Sequence, residues 1–409
     1  MPQATAPSHK EYTADPAFAR ASAATAAAVL AVGTLGTIYL RFRSGVSWRV
    51  PSVPCWYSFP FYIFPHPHLA LAWALRATPV IALAVAGVLA LHRSHLRWGT
   101  RVAASAGLAF ALALAVAALA GGPWAWRQPL DYAGEYPAGV GMVGAIPAFL
   151  RTFPRLLPFL PSHASGHPAG AMVAYALVAR VWPGLTAAAL ATVALGSLGV
   201  VAAGGLARDE FGEPGGRLAL ACWVLSPGVV LYLATSADAI FATVLGAAAL
   251  AAHRGLTRRS LAWTAAGGAL LWVGSMLTYS AVLLLAFLGL RAAGRLRTDW
   301  AWVLAWAAGT AAVVVGLAAL LWATTGYDVP AALRATHRAY QAAPGSAGRN
   351  YALWLPGDLV AFGGMLGVPL LAALATRAVA VVRERAWTSV DAAALATLLA
   401  AASWGFTRG

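Results

Sequence analysis

The sequence predicts an all-α membrane protein, a polytopic bundle of about 11 transmembrane helices with a re-entrant or juxtamembrane helix and long outer loops. Of its 409 residues, 60% are hydrophobic and only 10% are charged, and its mean hydropathy is +0.71. Such a chain lacks the polar residues that a soluble domain needs on its surface. Apolar runs of membrane-spanning length also recur along the sequence. We therefore interpret 1–409 as a single integral membrane domain.

The spans follow from the requirement of about 20 apolar residues per crossing, with roughly 17 to 25 tolerated. They fall at 21–40, 77–91, 102–121, 185–207, 218–233, 238–253, 261–275, 277–290, 300–323, 357–376 and 388–404. The shorter apolar run 169–182 contains Arg180 and stops at Trp182-Pro183-Gly184, which predicts a re-entrant or interfacial helix. The chain then divides into N-terminal spans (1–121), an outer loop with its juxtamembrane helix (122–184), and a remaining bundle (185–409) with an outer loop at 324–356.

Arginines in the short loops predict the orientation of the bundle. With a cytosolic N-terminus, four short inner loops carry three arginines each, at 92–101, 254–260, 291–299 and 377–387. This matches the excess of positive charge on the cytosolic side of membrane proteins. The net charge of +15 then reflects topology and contacts with membrane lipids rather than a nucleic-acid partner. We expect a multi-pass protein of the plasma membrane.

The polar stretch 122–170 is the candidate catalytic region, because it holds two carboxylates, three arginines and two histidines in a very hydrophobic chain. Asp131 and Glu135 are candidate general bases, since a carboxylate at the membrane surface can accept a proton from an attacking hydroxyl. They would share a face only in a helix, which the neighbouring proline and glycine residues disfavour. We expect one to be the base and the other a helper; the alternative is two solvated loop acids.

Two histidines and one further aspartate extend the candidate site. His163 and His167 could be metal ligands, but Pro168 starts a short helix, and His167 at its N-terminus could instead donate to a phosphate or sugar hydroxyl. Asp238 lies at the outer end of an apolar span, where an ionisable residue is a functional candidate by default. As a helix N-cap it would have a structural explanation.

The late outer loop, 324–356, is a candidate donor-binding segment. Guanidinium groups suit phosphate oxygens, and aromatic faces suit sugar rings or prenyl tails, so this loop could cover a polyprenyl-phosphate donor. A solvated amphipathic helix on the membrane surface is the alternative. The residues concerned are Arg334, His337, Arg338, Arg349 and Tyr351.

Four features in this order resemble the GT-C superfamily of membrane glycosyltransferases, which includes protein O-mannosyltransferases and aminoarabinose transferases. They are the acidic first large outer loop, a Gly-His-Pro-x-Gly-like element at 166–170 before a short helix, a Leu225-Ser226-Pro227 span that leads to Asp238, and the late loop rich in Arg, Tyr and Trp. The resemblance covers most of 122–409.

The resemblance implies a GT-C-like fold and an inverting sugar transfer on the non-cytosolic face. The donor would be a polyprenyl-phosphate sugar, and the acceptor a hydroxyl of a cell-envelope glycan, lipid or protein. The first-loop carboxylate would be the general base, and late-loop arginines would bind the donor phosphate. A divalent metal is compatible with this reaction but not required by it.

The rival function is a multi-span transporter or lipid flippase, suggested by the many spans and the acid at the membrane edge. Against it, the sequence has no inverted repeat and no matched pair of spans broken by glycine or proline. A non-catalytic scaffold would leave the clustered outer acids and arginines unexplained. The final residues, Phe406-Thr407-Arg408-Gly409, resemble the start of a Ser/Thr-Arg-Gly-Glu element of related bacterial membrane proteins, which predicts that the native chain continues.

Overall fold

The computed structural model describes residues 67–342 apart from Thr235, together with Ala24 and parts of 365–377. Within this part the chain is all-helical. Three short 3-10 helices, Ala125–Asp131, Tyr136–Met142 and Leu157–Phe159, accompany the α-helices. The α-helices are α1 (Pro67–Arg93), α2 (Trp98–Gly121), α3 (Ile146–Leu156), α4 (Ser162–Ser165), α5 (Ala169–Val181), α6 (Leu185–Ser197), α7 (Gly199–Leu225), α8 (Pro227–Leu233), α9 (Asp238–Arg258), α10 (Leu261–Leu277), α11 (Ala281–Ala293), α12 (Leu296–Thr325) and α13 (Val329–Ala342).

Among the described residues, five helical segments are long and apolar enough to cross a membrane. A sixth results if Tyr136–Met142 and Ile146–Phe159, which meet at 114°, are counted as one broken segment. By the length and composition of these segments the chain is a multi-pass membrane protein. The five are Leu75–Arg93, Trp98–Leu119, Leu185–Leu225, Asp238–Arg258 and Leu296–Thr325.

The predicted spans 185–207 and 218–233, with an inner loop at 208–217, fall largely within one candidate segment, Leu185–Leu225, which is broken at Gly212 inside the predicted loop. Helix α7 bends sharply at Gly212, whose backbone is non-helical with a φ of 72°. Its two halves pack on each other, because Gly199 lies against the Trp223 ring, whereas a continuous helix would hold these residues about 36 Å apart. The polar residues that suggested a loop find partners on other helices: Asp209 binds Arg254 and Arg258, and Glu210 binds Arg291. These ion pairs connect the bend of α7 to α9 and α11.

Two other predicted spans, 261–275 and 277–290, are helices that are short for a membrane crossing. They correspond to α10 with 17 residues and α11 with 13. At 1.5 Å per residue, α11 covers about 20 Å, against a hydrocarbon core of about 30 Å.

Helix α5, also 13 residues long, agrees in length with the short helix predicted at 169–182. The predicted spans 21–40, 357–376 and 388–404 lie wholly or largely outside the described residues.

Helix α9 is the central element of the described bundle and packs against α6, α7, α10 and α11. Its 21 residues extend about 30 Å, with Asp238 at one end and Arg258 at the other. At the Arg258 end, Asp209 pairs with arginines of α9 and Glu210 pairs with an arginine of α11. Arg259 binds Asp299 at 2.9 Å at the same end. The bundle thus has a basic end at Arg258 and, about 30 Å away, an end marked by Asp238.

The stretch between α2 and α6 is folded, although its proline and glycine content predicted a loop. One face of the amphipathic helix α3 is buried through Phe149, Leu150 and Phe153, which join a core with residues of α5 and α9. Helix α5 packs against the 3-10 helix Tyr136–Met142 and against α10. At Gly170, a Cβ atom would overlap the carbonyl oxygen of Met276. Only glycine therefore permits this close approach of α5 to the end of α10.

Candidate functional site

Glu135 and His163 form an ion pair at the Asp238 end of the bundle. Glu135 precedes the 3-10 helix Tyr136–Met142, and His163 lies in α4. The Glu135 Oε1 atom lies 2.8 Å from His163 Nδ1. The Glu135 side chain is 9% exposed and that of His163 is 54% exposed. The pair therefore connects a buried carboxylate to an imidazole that reaches the surface.

A backbone hydrogen bond brings the two segments together. The His163 N–H donates to the Gly134 carbonyl oxygen at 3.0 Å. Gly134 itself is buried, and a Cβ atom there would lie 2.5 Å from Ser162 Oγ and from a ring carbon of Tyr132. The absence of a side chain at Gly134 thus allows α4 to approach closely enough for the ion pair to form.

His167 lies between aromatic rings on the bundle side of this pair. Its ring is 5.9 Å from that of Tyr136, edge to face, and 5.5 Å from that of Phe241. Tyr136 in turn stacks on Tyr175 at 5.7 Å, and the Tyr175 hydroxyl pairs with Thr192 Oγ1 at 2.8 Å. His167 Nδ1 is buried and has no hydrogen-bond partner among the residues that the structure describes.

Asp238 faces the same region from α9. The N-cap of α9 is Ala237, so Asp238 is the first helical residue and not the cap that the sequence offered as an alternative. Ser236 Oγ donates to Asp238 Oδ2 at 2.8 Å, and the Asp238 N–H donates back to Ser236 Oγ at 3.1 Å. The carboxylate is exposed, and its charge acts on both His163 and His167.

The pKa values of the two histidines move in opposite directions. The hydrogen bond to Glu135 raises the pKa of His163, burial opposes this, and the charges of Glu135 and Asp238 add to the increase. Burial lowers the pKa of His167, partly opposed by Asp238 and by a hydrogen bond with the Leu277 backbone. At neutral pH, His167 is therefore neutral, whereas His163 titrates at a pH above its ordinary value of 6.5.

Asp131 lies apart from these groups. It is exposed at the end of the 3-10 helix Ala125–Asp131, where it lines a cavity of about 240 Å³ on the side of Tyr175, with Pro137 and Gly184. None of its hydrogen bonds or ion pairs reaches Glu135 or His163 within the described part of the chain. The structure therefore brings together Glu135, His163, His167 and Asp238, and leaves Asp131 outside.

The late basic residues lie on α13, which contacts α3 and α4. Ala332 and Thr336 are buried, and the Thr336 hydroxyl pairs with Tyr279 at 3.1 Å. The opposite face carries the exposed Arg334, His337 and Arg338. Helix α13 thus presents a basic face close to the element that holds His163. Arg349 and Tyr351 lie outside the described residues.

An apolar groove between α10, α11 and α12, here the α10–α12 groove, opens near the site. Its volume is about 550 Å³, within the range of sites that bind small molecules. Ser275, Thr278 and Tyr279 line it near the end of α10, next to Leu277, whose backbone bonds His167. The lining includes Ser275, Thr278, Tyr279, Leu285, Gly289 and Ala311.

A second apolar groove, here the Asp238 groove, lies on the other side of α9. It measures about 430 Å³ and is lined by Trp223, Ser226, Tyr232, Asp238, Met365 and Leu366 among others. Ser226 Oγ donates to the Met365 carbonyl at 3.0 Å. This hydrogen bond connects the described residues around Met365 to the start of α8. Each groove thus ends beside a group of the candidate site.

The aromatic wall of Tyr136, Tyr175 and Phe241 was not predicted from the sequence. Tyr136 and Tyr175 lie in short helices and Phe241 in the first turn of α9, and no spacing in the sequence indicates that their rings meet. For a metal, no group of three or more His, Cys, Asp or Glu side chains is suitably arranged in the described part of the chain.

No protein family, curated protein or solved structure matches this chain.

Proposed function

We propose that the protein is a membrane glycosyltransferase that moves a sugar from a polyprenyl-phosphate donor to a hydroxyl acceptor on the non-cytosolic face. The observation that carries this proposal is the meeting of Glu135, His163, His167 and Asp238 at one end of a membrane bundle. These residues come from three separate segments. A buried carboxylate, two imidazoles and an exposed carboxylate beside apolar grooves suit proton transfer at a membrane surface.

The distribution of arginine favours the outer face for this site. Ion pairs of Arg254, Arg258 and Arg291 cluster at the basic end of the bundle, and cytosolic segments of membrane proteins are enriched in arginine and lysine. Asp238 lies about 30 Å from that end along α9, a distance close to the thickness of the hydrocarbon core. With the basic end in the cytosol, the candidate site is on the opposite face.

The proposed reaction is a displacement at the anomeric carbon of the donor sugar. The acceptor oxygen forms a bond to this carbon while the bond from the carbon to the phosphate oxygen breaks. The electron pair of that bond leaves with the lipid phosphate, and the acceptor proton passes to the base that Glu135 supports. Arg334 and Arg338 are suited to the developing charge on the phosphate, because guanidinium groups pair with phosphate oxygens in two-point hydrogen bonds.

The α10–α12 groove is suited to the lipid chain of the donor. Its apolar lining offers burial to a hydrocarbon, and burying apolar surface contributes roughly 25 cal/mol per Å². Thr278 lines the groove and follows Leu277, whose backbone bonds His167. A chain lying in this groove would therefore carry its phosphate toward the site.

The test is sugar transfer by the purified protein in liposomes, with a panel of polyprenyl-phosphate donors labelled in the sugar. A transferase moves the label from the donor lipid to an acceptor in a cell-envelope fraction. A transporter or flippase leaves the label on its lipid and carries it across the bilayer. The second outcome, or an intact donor across the whole panel, contradicts the proposal.

Filling the α10–α12 groove is expected to weaken donor binding. Ala311→Trp places an indole in the space proposed for the lipid chain, so the KM for the donor should rise about tenfold, equivalent to ~1.4 kcal/mol, with little change in kcat. Leu304→Trp is the matched control, since Leu304 is also on α12 and is exposed but does not line the groove. Equal KM values for the two variants would remove this groove from the donor site.

A further inference from the structure

We propose that the Nε2 atom of His163 accepts the proton from the acceptor hydroxyl, and that Glu135 acts through His163 as a positioning residue. This inference rests on the proposed function and specifies the atom that serves as its base. The acceptor O–H bond breaks as the oxygen bonds to the anomeric carbon, and the proton passes to Nε2. The resulting imidazolium is balanced by the Glu135 carboxylate and later releases its proton to water.

Accessibility favours the imidazole over the carboxylate. A base must come within hydrogen-bonding distance of the proton it removes. The Glu135 side chain is 9% exposed, and its Oε1 atom is already bound by His163. The His163 side chain is 54% exposed, and no hydrogen bond of its Nε2 is found within the part of the chain that the structure describes. An acceptor arriving from the surface would therefore meet the imidazole first.

The contact between Glu135 and His163 also determines which ring nitrogen holds the proton in the neutral form. Because a carboxylate only accepts hydrogen bonds, Nδ1 must carry the hydrogen that it donates to Glu135. Nε2 then has a free lone pair, which is the form a general base requires. The hydrogen bond from the His163 backbone N–H to the Gly134 carbonyl oxygen holds the imidazole beside the Glu135 carboxylate.

Charges around His163 favour the protonated product. Glu135 and Asp238 are the acids that act on the ring, and the neighbouring His167 is neutral at neutral pH because burial lowers its pKa. Helix α13, which packs against α4, keeps Arg334, His337 and Arg338 on its exposed face. The two carboxylates thus stabilise the imidazolium that the reaction forms.

The test combines variants of His163 with a pH profile of kcat/KM in the liposome transfer assay. His163→Gln is expected to lose about 100-fold or more of the activity, and imidazole added to His163→Gly should restore part of it. His95→Gln is the control, because His95 is also an exposed histidine but lies far from His163 in the sequence. In the wild type, activity should rise with pH through a midpoint above 6.5, because only neutral His163 accepts a proton.

Glu135→Gln should move this midpoint toward lower pH in its residual activity, because the hydrogen bond and charge that raise the pKa of His163 are lost. Nitrogen NMR of ring-labelled histidine should find the hydrogen on Nδ1 in the wild type. Full activity of His163→Gln, or a hydrogen on Nε2, overturns this proposal and leaves the transferase standing. A wild-type protein that transfers no sugar overturns both.

Discussion

Glu135→Gln is expected to reduce kcat/KM for sugar transfer by about 10²–10⁴-fold, the range typical of general acid–base catalysis. Glutamine keeps the shape of the side chain but removes the charge that balances protonated His163. Its amide can also donate to Nδ1, which would move the ring hydrogen to Nε2 and block proton acceptance. The protein should still fold, because glutamine has the size of glutamate and its neutral amide places no unpaired charge in the buried position, while His163 remains 54% exposed to water.

Asp131→Asn is the matched control for this variant, since it makes the same kind of neutral replacement four residues earlier. Asp131 is exposed and lines a different cavity, so its variant should keep a rate close to that of the wild type. Initial rates and thermal unfolding of both purified proteins check the prediction. If Asp131→Asn is inactive and Glu135→Gln is active, the reaction depends on Asp131 and the role proposed for Glu135 is wrong.

Gly170→Ala is expected to have the second-largest effect, through the packing of α5. The new methyl group would overlap the Met276 carbonyl oxygen, and a backbone atom cannot rotate away as a side chain can. Overpacking of this kind costs about 1–3 kcal/mol. Helix α5 should shift away from α10 and move His167, and a displacement of about 1 Å in a catalytic site can reduce activity 100-fold.

The control for Gly170→Ala is Gly141→Ala in the neighbouring 3-10 helix, where a Cβ atom meets nothing within 4 Å. Thermal unfolding and transfer rates of the two variants give the comparison. A Gly170→Ala protein with wild-type stability and activity would show that the approach of α5 to α10 is not needed for the site.

The sequence identified four ionisable residues that the structure brings together, but it did not reveal their arrangement. Glu135, His163, His167 and Asp238 were each found as ionisable residues in an apolar chain. Their assembly depends on the Gly134 turn and on the contact of α5 with α10. These contacts join residues distant in sequence, so no spacing rule reveals them. For the same reason, the sequence did not show that Asp131 lies away from Glu135. Residues four apart share a face only in a continuous helix, and the chain between these two is not one.

The helices were predicted where the apolar runs are long and uninterrupted, as for α2 and α12. At α7, the polar residues around Gly212 marked the position at which the helix breaks. The sequence did not reveal that Asp209 and Glu210 beside this break pair with arginines of α9 and α11. In the 122–168 region, proline and glycine argued against α-helix, but α3 is an α-helix that contains Pro154, and short 3-10 helices form on either side of it. Local composition does not reveal either arrangement.

The central claim, sugar transfer from a lipid phosphate at the Glu135 site, is tested most directly with a donor labelled in both sugar and phosphate. In sealed liposomes, the wild type should separate the two labels, moving the sugar to the acceptor while the phosphate stays with the lipid. Glu135→Gln should leave them joined. If the labels stay together in the wild type and cross the bilayer as one molecule, the protein moves lipids and is not a transferase.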